Sequence, residues 1–471
     1  MAIPKSQQAY AVYNRAQIAA WSALQGTNSG FATRQDERMA EGLCGALTRH
    51  FPRASRIGIL IGRGGNGRQA QALARRYQGT GVEITTFPVD ECAELDRLRH
   101  QDVLVDGLIG TGLQGPLRDP YQSQTQCALA SGRPIVAIDG PTGLNLDLGS
   151  LVPGALRAMY TVFCAYPKIG GLTGAGREAC GVVEVIDPGF DVRPSDSCAY
   201  IPSDAELAAL LPIRPKDAHK GTAGTCAIWG GDIGMPGAVR LAAEGAYRAG
   251  AGLVMSWVHA RHAAVLAASL PELIAFGAFE TDAPLLRAQW LLVGSGMGRG
   301  DWGREMWARA RSGPKPLLVD GDALYWLALE PEARSDWILT PHEGEAARLL
   351  GVSADDIAHD RPGACQELYA RYGGVCVLKG AGTLIASAEG TWLCPFGHPG
   401  MATAGMGDVL AGVIVGLAVQ GLTASQAARL GVFLHAQAGD RAALTVGPRG
   451  LLASDLIRCL PAAQARLCSF A

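Results

Sequence analysis

Short apolar runs recur along the whole chain, and most of them end in a glycine-rich turn that leads into a stretch of helical spacing. In the first half the runs cover residues 57–62 (IGILIG), 82–87, 103–106, 134–138, 161–165 and 182–186. In the second half they cover residues 225–229, 253–257, 290–293, 316–319, 337–339, 375–378 and 384–386. A run without polar alternation is the pattern of a strand covered on both faces, as in a parallel sheet. Strand and helix in alternation predict an α/β chain built on doubly wound sheets, with ligands beyond the carboxyl ends of the strands.

A chain of 471 residues is too long for one core, so two or more domains are expected. Around residues 190–215 the chain turns proline-rich and loses periodicity, which places the boundary between residues 205 and 206. Hydrophobic content of 48% and charged content of 18% describe an ordinary globular protein. A net charge of −2 gives no reason to expect a nucleic-acid or acidic-membrane partner. The 12 cysteines are scattered without a CxxC pair, which argues against a zinc site or a disulfide framework and fits a reducing cytoplasm. The first residues lack the apolar core of a signal peptide, residues 8–26 have helical spacing, and no apolar run reaches the roughly 20 residues of a membrane span.

The expected strand ends carry the candidate chemistry. In the first half three glycine-rich loops fall there: residues 63–67 (RGGNG), 106–116 (DGLIGTGLQGP) and 138–144 (IDGPTGL). In the second half come GGDIGMPGA at 230–238, GSGMG at 294–298, VDGDAL at 319–324 and TPHEGE at 340–345. KGAGT at 379–383 reads as a tight β-turn. Asp320 and Asp322 fit either a turn pair or a cation site, and His342 fits either a helix cap or a ligand contact. In the stretch 399–421 a glycine turn is followed at once by Asp408 and a long apolar helix pattern. Glycines admit a ligand to the backbone, and the first helical turn offers N–H groups to an anion. An acid there fits proton removal from a hydroxyl beside a phosphate, or simple N-capping.

Taken together, HKGTAG (219–224), GMPGA (234–238), GAGL (250–253), GSGMG, VDGDAL, LTPHEGEAARLL (339–350), LKGAGT (378–383) and GMATAGMGDVLAG (400–412) resemble the ADP/ATP-dependent NAD(P)H-hydrate dehydratase family. The resemblance covers residues 219–455. DGLIGTGLQGP, AIDGPTGLNLDLG (137–149), YPKIG (166–170) and GVVEVIDPGF (181–190) resemble the NAD(P)H-hydrate epimerase domain that precedes it in bacterial fusion proteins. The resemblance implies a Rossmann-like first domain and a ribokinase-like second one. It implies NADH or NADPH carrying water across a ring double bond as substrate, ADP or ATP as phosphoryl donor, and Mg²⁺ on the donor phosphates. The donor would lie on Lys379, Gly380, Ala381, Gly382, Thr383 and Gly407. The hydrate would touch Ala238, Gly296 or Gly298, His342 and Asp408, with Asp408 as the base. In the first domain K⁺ would lie on Asn66, Asp106 and Thr142, and the hydrate on Gly65, Asn66, Gly67, Gly110, Thr111, Gly112, Pro116 and Asp139. No nucleic-acid or membrane partner is expected, and a homo-oligomer is.

The family's loop G-x-G-N-N-G-G-D-G stands here as Gly62-Arg63-Gly64-Gly65-Asn66-Gly67-Arg68-Gln69-Ala70, and its I-P-S-G as Gly140-Pro141-Thr142-Gly143. Arg68 adds positive charge near the expected cation and Gln69 removes a carboxylate, so weak or absent epimerase activity is expected. The competing expectation is a ribokinase-like small-molecule kinase with a non-catalytic first domain for binding or oligomerisation. TPHEGE and GMPGA fit the dehydratase better.

Overall fold

Burial along the strands is continuous rather than alternating: in Arg56–Ile61 every residue after the first is buried, and Thr225–Trp229 is buried throughout. Such strands must be covered on both faces, and helices supply the cover. The computed structural model describes residues 10–25, 31–91, 94–113, 115–186, 197–281 and 283–470. Gly26, Gln114 and residues 187–190 of the GVVEVIDPGF run lie outside them. The chain divides into two compact units, one comprising Tyr10–Ile201 with Ala358–Arg361, the other Pro202–Ile357 and the chain from Pro362 onward.

The first unit holds β1 (Tyr10–Val12), β2 (Arg56–Ile61), β3 (Glu83–Pro88), β4 (Val103–Gly107), β5 (Ile135–Ile138), β6 (Tyr160–Cys164), β7 (Val182–Ile186) and β8 (Ala199–Ile201). Its main sheet is parallel, in the order β3-β2-β4-β5-β6-β7. Chain direction across the sheet reverses between β2 and β4. Helix Phe31–His50 packs on helix Gly65–Arg76 over one face, around Met39, Leu43, Ile59 and Leu73.

The second unit holds β9 (Thr225–Trp229), β10 (Leu253–Val258), β11 (Ile274–Gly277), β12 (Trp290–Val293), β13 (Leu317–Val319), β14 (Trp337–Leu339), β15 (Val375–Leu378), β16 (Thr383–Ser387) and β17 (Gly390–Cys394). They run in the order β17-β16-β15-β14-β13-β12-β9-β10-β11, parallel from β15 to β11 and antiparallel at β16 and β17. Here the reversal falls between β9 and β12. Helix Met406–Ala418 is buried from Val409 to its end and packs along helix Pro236–Ala249. Small residues let the two backbones meet: a Cβ on Gly412 would sit 2.0 Å from Ala242 O, and one on Gly416 2.6 Å from Ala246 O.

Four strands were not foreseen. β1 and β8 are three residues each and pair with one another across the first unit, Ala11 opposite Tyr200. β11 is an edge strand held parallel to β10, and β17 closes a tight hairpin with β16, Ser387 opposite Gly390. The helical pattern expected over residues 8–26 is corrected: Tyr10–Val12 is a strand and the helix spans Arg15–Gln25. Irregular chain was expected through residue 215, yet Asp204–Leu210 is a helix whose Ser203 and Glu206 form a reciprocal capping box.

Candidate active sites

In the second unit the carboxyl ends of β9 and β12 lie side by side, and the loops beyond them bond to each other. Gly231 N–H donates to Ser295 O at 3.0 Å and Asp232 N–H to Gly296 O at 2.8 Å. Gly296 and Gly298 have φ of 57° and 76°, and a Cβ on Gly296 would strike Met235 O at 2.8 Å and Ala238 Cβ at 3.1 Å. Glycine is therefore required there, and Ala238, Gly296 and Gly298 are brought to one place.

The next strands add charge. Asp320, buried at the end of β13, accepts from Thr340 Oγ1 at 2.8 Å and from Lys379 Nζ at 2.7 Å. Lys379 also stands 3.6 Å from Glu345 Oε2. Both groups lie against the start of helix Met406–Ala418, since a Cβ on Gly407 would sit 3.3 Å from Lys379 Nζ and 3.8 Å from Asp320 Oδ2. Asp322 takes another course: it accepts from Gly298 N–H at 2.9 Å and Arg299 Nε at 3.1 Å. Both aspartates thus have protein partners, and among the described residues no group of three or more His, Cys, Asp or Glu is placed to hold a metal ion.

Asp408 is not a helix cap. The N-cap is Gly405, with φ of 87°, and Asp408 is the third helical residue. The first bond of the helix runs from Val409 N–H to Gly405 O at 3.0 Å, so the amides of residues 406–408 lie ahead of the ladder, where an anion meets them. Burial pushes the Asp408 carboxyl up to about 6; the charges of Asp320 and Asp322 act the same way, while the Ser295 hydroxyl and Lys379 oppose. His435 lies behind the turn with Nε2 3.0 Å from Met406 O, and burial pulls it down to about 4. A neutral His435 donates that bond and pins the turn. His342 does cap helix Glu343–Leu350, its Nδ1 accepting from Gly344 N–H at 3.0 Å and Glu345 N–H at 3.4 Å. Its side chain is 60% exposed, so capping leaves it open to a ligand.

The turn after β15 links two antiparallel strands, as expected of KGAGT, with φ of 138° at Gly380 and 66° at Gly382. Thr383 Oγ1 donates to Gly380 O at 3.1 Å across it.

In the first unit Gly62 N–H donates to Gly107 O, joining the loops after β2 and β4. Helix Gly65–Arg76 begins inside the expected loop 63–67. A Cβ on Gly67 would lie 1.8 Å from Gly62 O, so only glycine fits. Asn66 Nδ2 donates to Ile138 O at 2.6 Å, and its amide lies where a Cβ on Gly110 would be, 2.6 Å away. Asp106 accepts from Thr142 N–H at 2.7 Å, Thr142 Oγ1 at 2.8 Å and Leu108 N–H at 3.1 Å. Burial raises its carboxyl to about 6 against those bonds. Asp139 has φ of 60°, accepts from Cys164 N–H at 3.1 Å and forms an ion pair with the fully buried Lys168. Thr111, Gly112 and Pro116 lie on the outer part of the 106–116 loop, the last two exposed.

Arg68 corrects an expectation. Its Nε donates to Asp36 Oδ2 at 3.3 Å, on helix Phe31–His50, and the side chain is 58% exposed. Its charge is therefore compensated away from Asn66 and Asp106. Gln69 is buried, and its Oε1 has no hydrogen bond among the described residues. Sequence reasoning missed the Asp320–Lys379–Glu345 network, Thr340, Ser295, His435 and Asp36. Asp320 and Glu345 stood in singled-out motifs, whereas His435, in mid-helix, carried no signal.

A family model described as NAD(P)H-hydrate dehydratase matches residues 226–462, and one described as YjeF-related protein N-terminus matches residues 88–170. The bifunctional NAD(P)H-hydrate repair enzyme Nnr of Coxiella burnetii is 38% identical over 452 residues, covering 89% of this chain and 92% of that protein. The chain belongs to the bifunctional NAD(P)H-hydrate repair enzyme family. The family's Escherichia coli member is 35% identical over 439 residues, covering 87% of this chain and 85% of its own. Among solved structures, an ADP/ATP-dependent NAD(P)H-hydrate dehydratase from Bacillus subtilis, co-crystallised with ATP and Mg²⁺, matches with a TM-score of 0.50 at 28% identity, over 56% of this chain and 97% of that one. A ribokinase-like superfamily protein from Enterococcus faecalis matches with a TM-score of 0.52 at 27% identity, over 56% of this chain and 95% of that one. The second unit thus has the ribokinase-like fold of the repair family's dehydratase. The stretch matched in the first unit begins at residue 88, after the loop that departs from the family pattern.

Proposed function

We propose that this chain repairs hydrated nicotinamide nucleotides. The second unit dehydrates (S)-NAD(P)H-hydrate at the expense of ADP or ATP, and the first interconverts the R and S hydrates. The observation that carries the dehydratase assignment is Asp408: a carboxyl raised to about 6, in the first turn of a buried helix, beside the Lys379–Asp320 pair. Asp408 takes the proton of the hydrate's hydroxyl as its oxygen attacks the terminal phosphoryl group of the nucleotide. The amides of residues 406–408 and Lys379 face the charge that develops. The C–O bond then breaks, the electron pair leaves with phosphate, and the ring nitrogen's lone pair compensates. Loss of a proton from the adjacent ring carbon restores the double bond. Products are NAD(P)H, phosphate and a nucleotide shorter by one phosphoryl group. His342, Ala238, Gly296 and Gly298 are assigned to the hydrate, and residues 379–383 with Gly407 to the nucleotide. Among the described residues no group of three or more His, Cys, Asp or Glu is placed to hold a metal ion, so Mg²⁺ would come in on the nucleotide's phosphates.

In the first unit the oxygens of Asn66, Asp106 and Thr142 converge around residues 106–110 and form a hard donor set suited to K⁺. Bound there, K⁺ would compensate negative charge on the substrate. Asp139, oriented by Lys168, is the group assigned to the hydrate's hydroxyl: it takes that proton as the ring C–N bond opens to an aldehyde, the proton passing to the ring nitrogen, and the reverse steps close the ring on the other face. Gly65, Gly67, Gly110, Thr111, Gly112 and Pro116 line the same loops. Cysteines without disulfide partners among the described residues support a cytoplasmic location.

The test uses chemically prepared hydrate epimers, the full chain and ADP. Reduced-nicotinamide absorbance should return together with an equimolar amount of free phosphate. A phosphorylated organic product without free phosphate would instead make the second unit a kinase.

A further inference from the structure

The groups assigned above engage the nicotinamide ring, yet the substrate has a second half that carries phosphate. We propose that Arg299, Tyr325 and Arg348 bind a phosphate of that adenosine half. The inference rests on the dehydratase reading and adds a substrate subsite to it.

Two of the three side chains come from elements that also present ring-binding positions, and Tyr325 comes from the helix after β13. Arg299 follows Gly298 in the loop after β12, Tyr325 lies on helix Asp322–Leu329 after β13, and Arg348 lies on helix Glu343–Leu350, which His342 caps. Gly298 fastens the cluster to the hydrate loop: its N–H donates to Asp322 Oδ2 at 2.9 Å, and its carbonyl accepts from Trp326 Nε1 at 3.2 Å. Two guanidinium carbons converge on one phenol, Arg299 at 4.7 Å and Arg348 at 5.4 Å from the Tyr325 ring centroid. Arg299 is partnered by Asp322. Arg348 is exposed and has no ion-pair partner among the described residues.

Each guanidinium is attracted to the ring, but only Arg299 has a carboxylate partner among the described residues. The cluster therefore holds one positive charge more than its own carboxylate balances. Guanidinium groups suit phosphate, since their planar forks donate to two oxygens at once. The hydrated dinucleotide offers two phosphate sources. Its pyrophosphate is common to NADH- and NADPH-hydrate, and the ribose 2′-phosphate is present only in NADPH-hydrate. The phosphoryl donor is a poorer candidate, because its assigned positions, Lys379 to Thr383 and Gly407, belong to other loops.

The experiment measures KM and kcat for both hydrates at saturating ADP, and binding of NADH, NADPH and ADP by calorimetry, in the full chain and in Arg348→Gln. Removing one charge-assisted contact should weaken substrate and product binding about tenfold, with kcat and ADP affinity unchanged. A loss confined to the NADPH forms assigns the 2′-phosphate, and an equal loss for both pairs assigns the pyrophosphate. Arg348→Glu should lose more, and Arg299→Gln should act in the same direction. The wild-type KM should also rise with salt more steeply than that of Arg348→Gln. Unchanged KM and binding in both Arg348 variants, with the wild type active, would overturn the subsite alone. A wild type that dehydrates neither hydrate would overturn the functional reading itself.

Discussion

At the scale of residues, the role proposed for Asp408 rests on position more than on residue type. Its own helix is capped by Gly405, so the carboxylate is left for a substrate, and burial with two neighbouring aspartates holds its proton affinity near neutrality. Asp408→Asn keeps the shape and removes the base. It should lower kcat about 10²–10⁴-fold while leaving ADP affinity unchanged, by single-turnover kinetics and calorimetry. Near-normal turnover would reduce Asp408 to a structural role. The proposed base must be ionised to act, so kcat/KM should fall as pH drops below about 6, approaching tenfold per unit. A profile flat down to pH 5 would show that another group takes the proton.

Among elements, helix Met406–Ala418 sets the geometry. Its first turn is aimed by close packing on helix Pro236–Ala249, where Gly412 and Gly416 meet Ala242 and Ala246 backbone to backbone. Gly412→Ala would place a methyl 2.0 Å from Ala242 O and force the helices apart. Overpacking of this kind costs about 1–3 kcal/mol, visible as a lowered Tm. Because the helix carries Gly407 and Asp408, activity at temperatures well below that Tm should fall too. A stable variant with normal kcat would show that the helix start is held by the turn and His435 instead. The apolar helix pattern was legible in the sequence, but its partner helix, 170 positions upstream by the difference of 412 and 242, was not.

For the whole molecule, the open matter is the pairing of two activities in one chain. The expected weakness of the first unit rested on Arg68 and Gln69. Arg68 is held by Asp36, while the Asn66–Asp106–Thr142 set and the Asp139–Lys168 pair stand. Full-length Asp408→Asn, given pure R-hydrate and a separate S-specific dehydratase, should therefore convert it faster than the spontaneous rate, with stimulation by K⁺. Conversion at the spontaneous rate, with or without K⁺, would count against epimerase activity and point back to the buried Gln69.

What the sequence determined by itself is the class of fold, the position of most parallel strands, and the loops that carry chemistry. Those signals are local: unbroken apolar runs need cover on both faces, and glycines mark backbone that must turn or touch. Tertiary structure decided the rest. β1 and β8 are extended because they pair across a long stretch of chain, Tyr10 opposite Ile201, not because three residues prefer to be strands. Lys379 faces Asp320 and Glu345 because β13, β14 and β15 lie in parallel register. Arg68 turns from the expected cation site because helix Phe31–His50 offers it Asp36. Whether an aspartate caps a helix or serves as a base depends on burial and on neighbouring charges, and those exist only once distant strands have met.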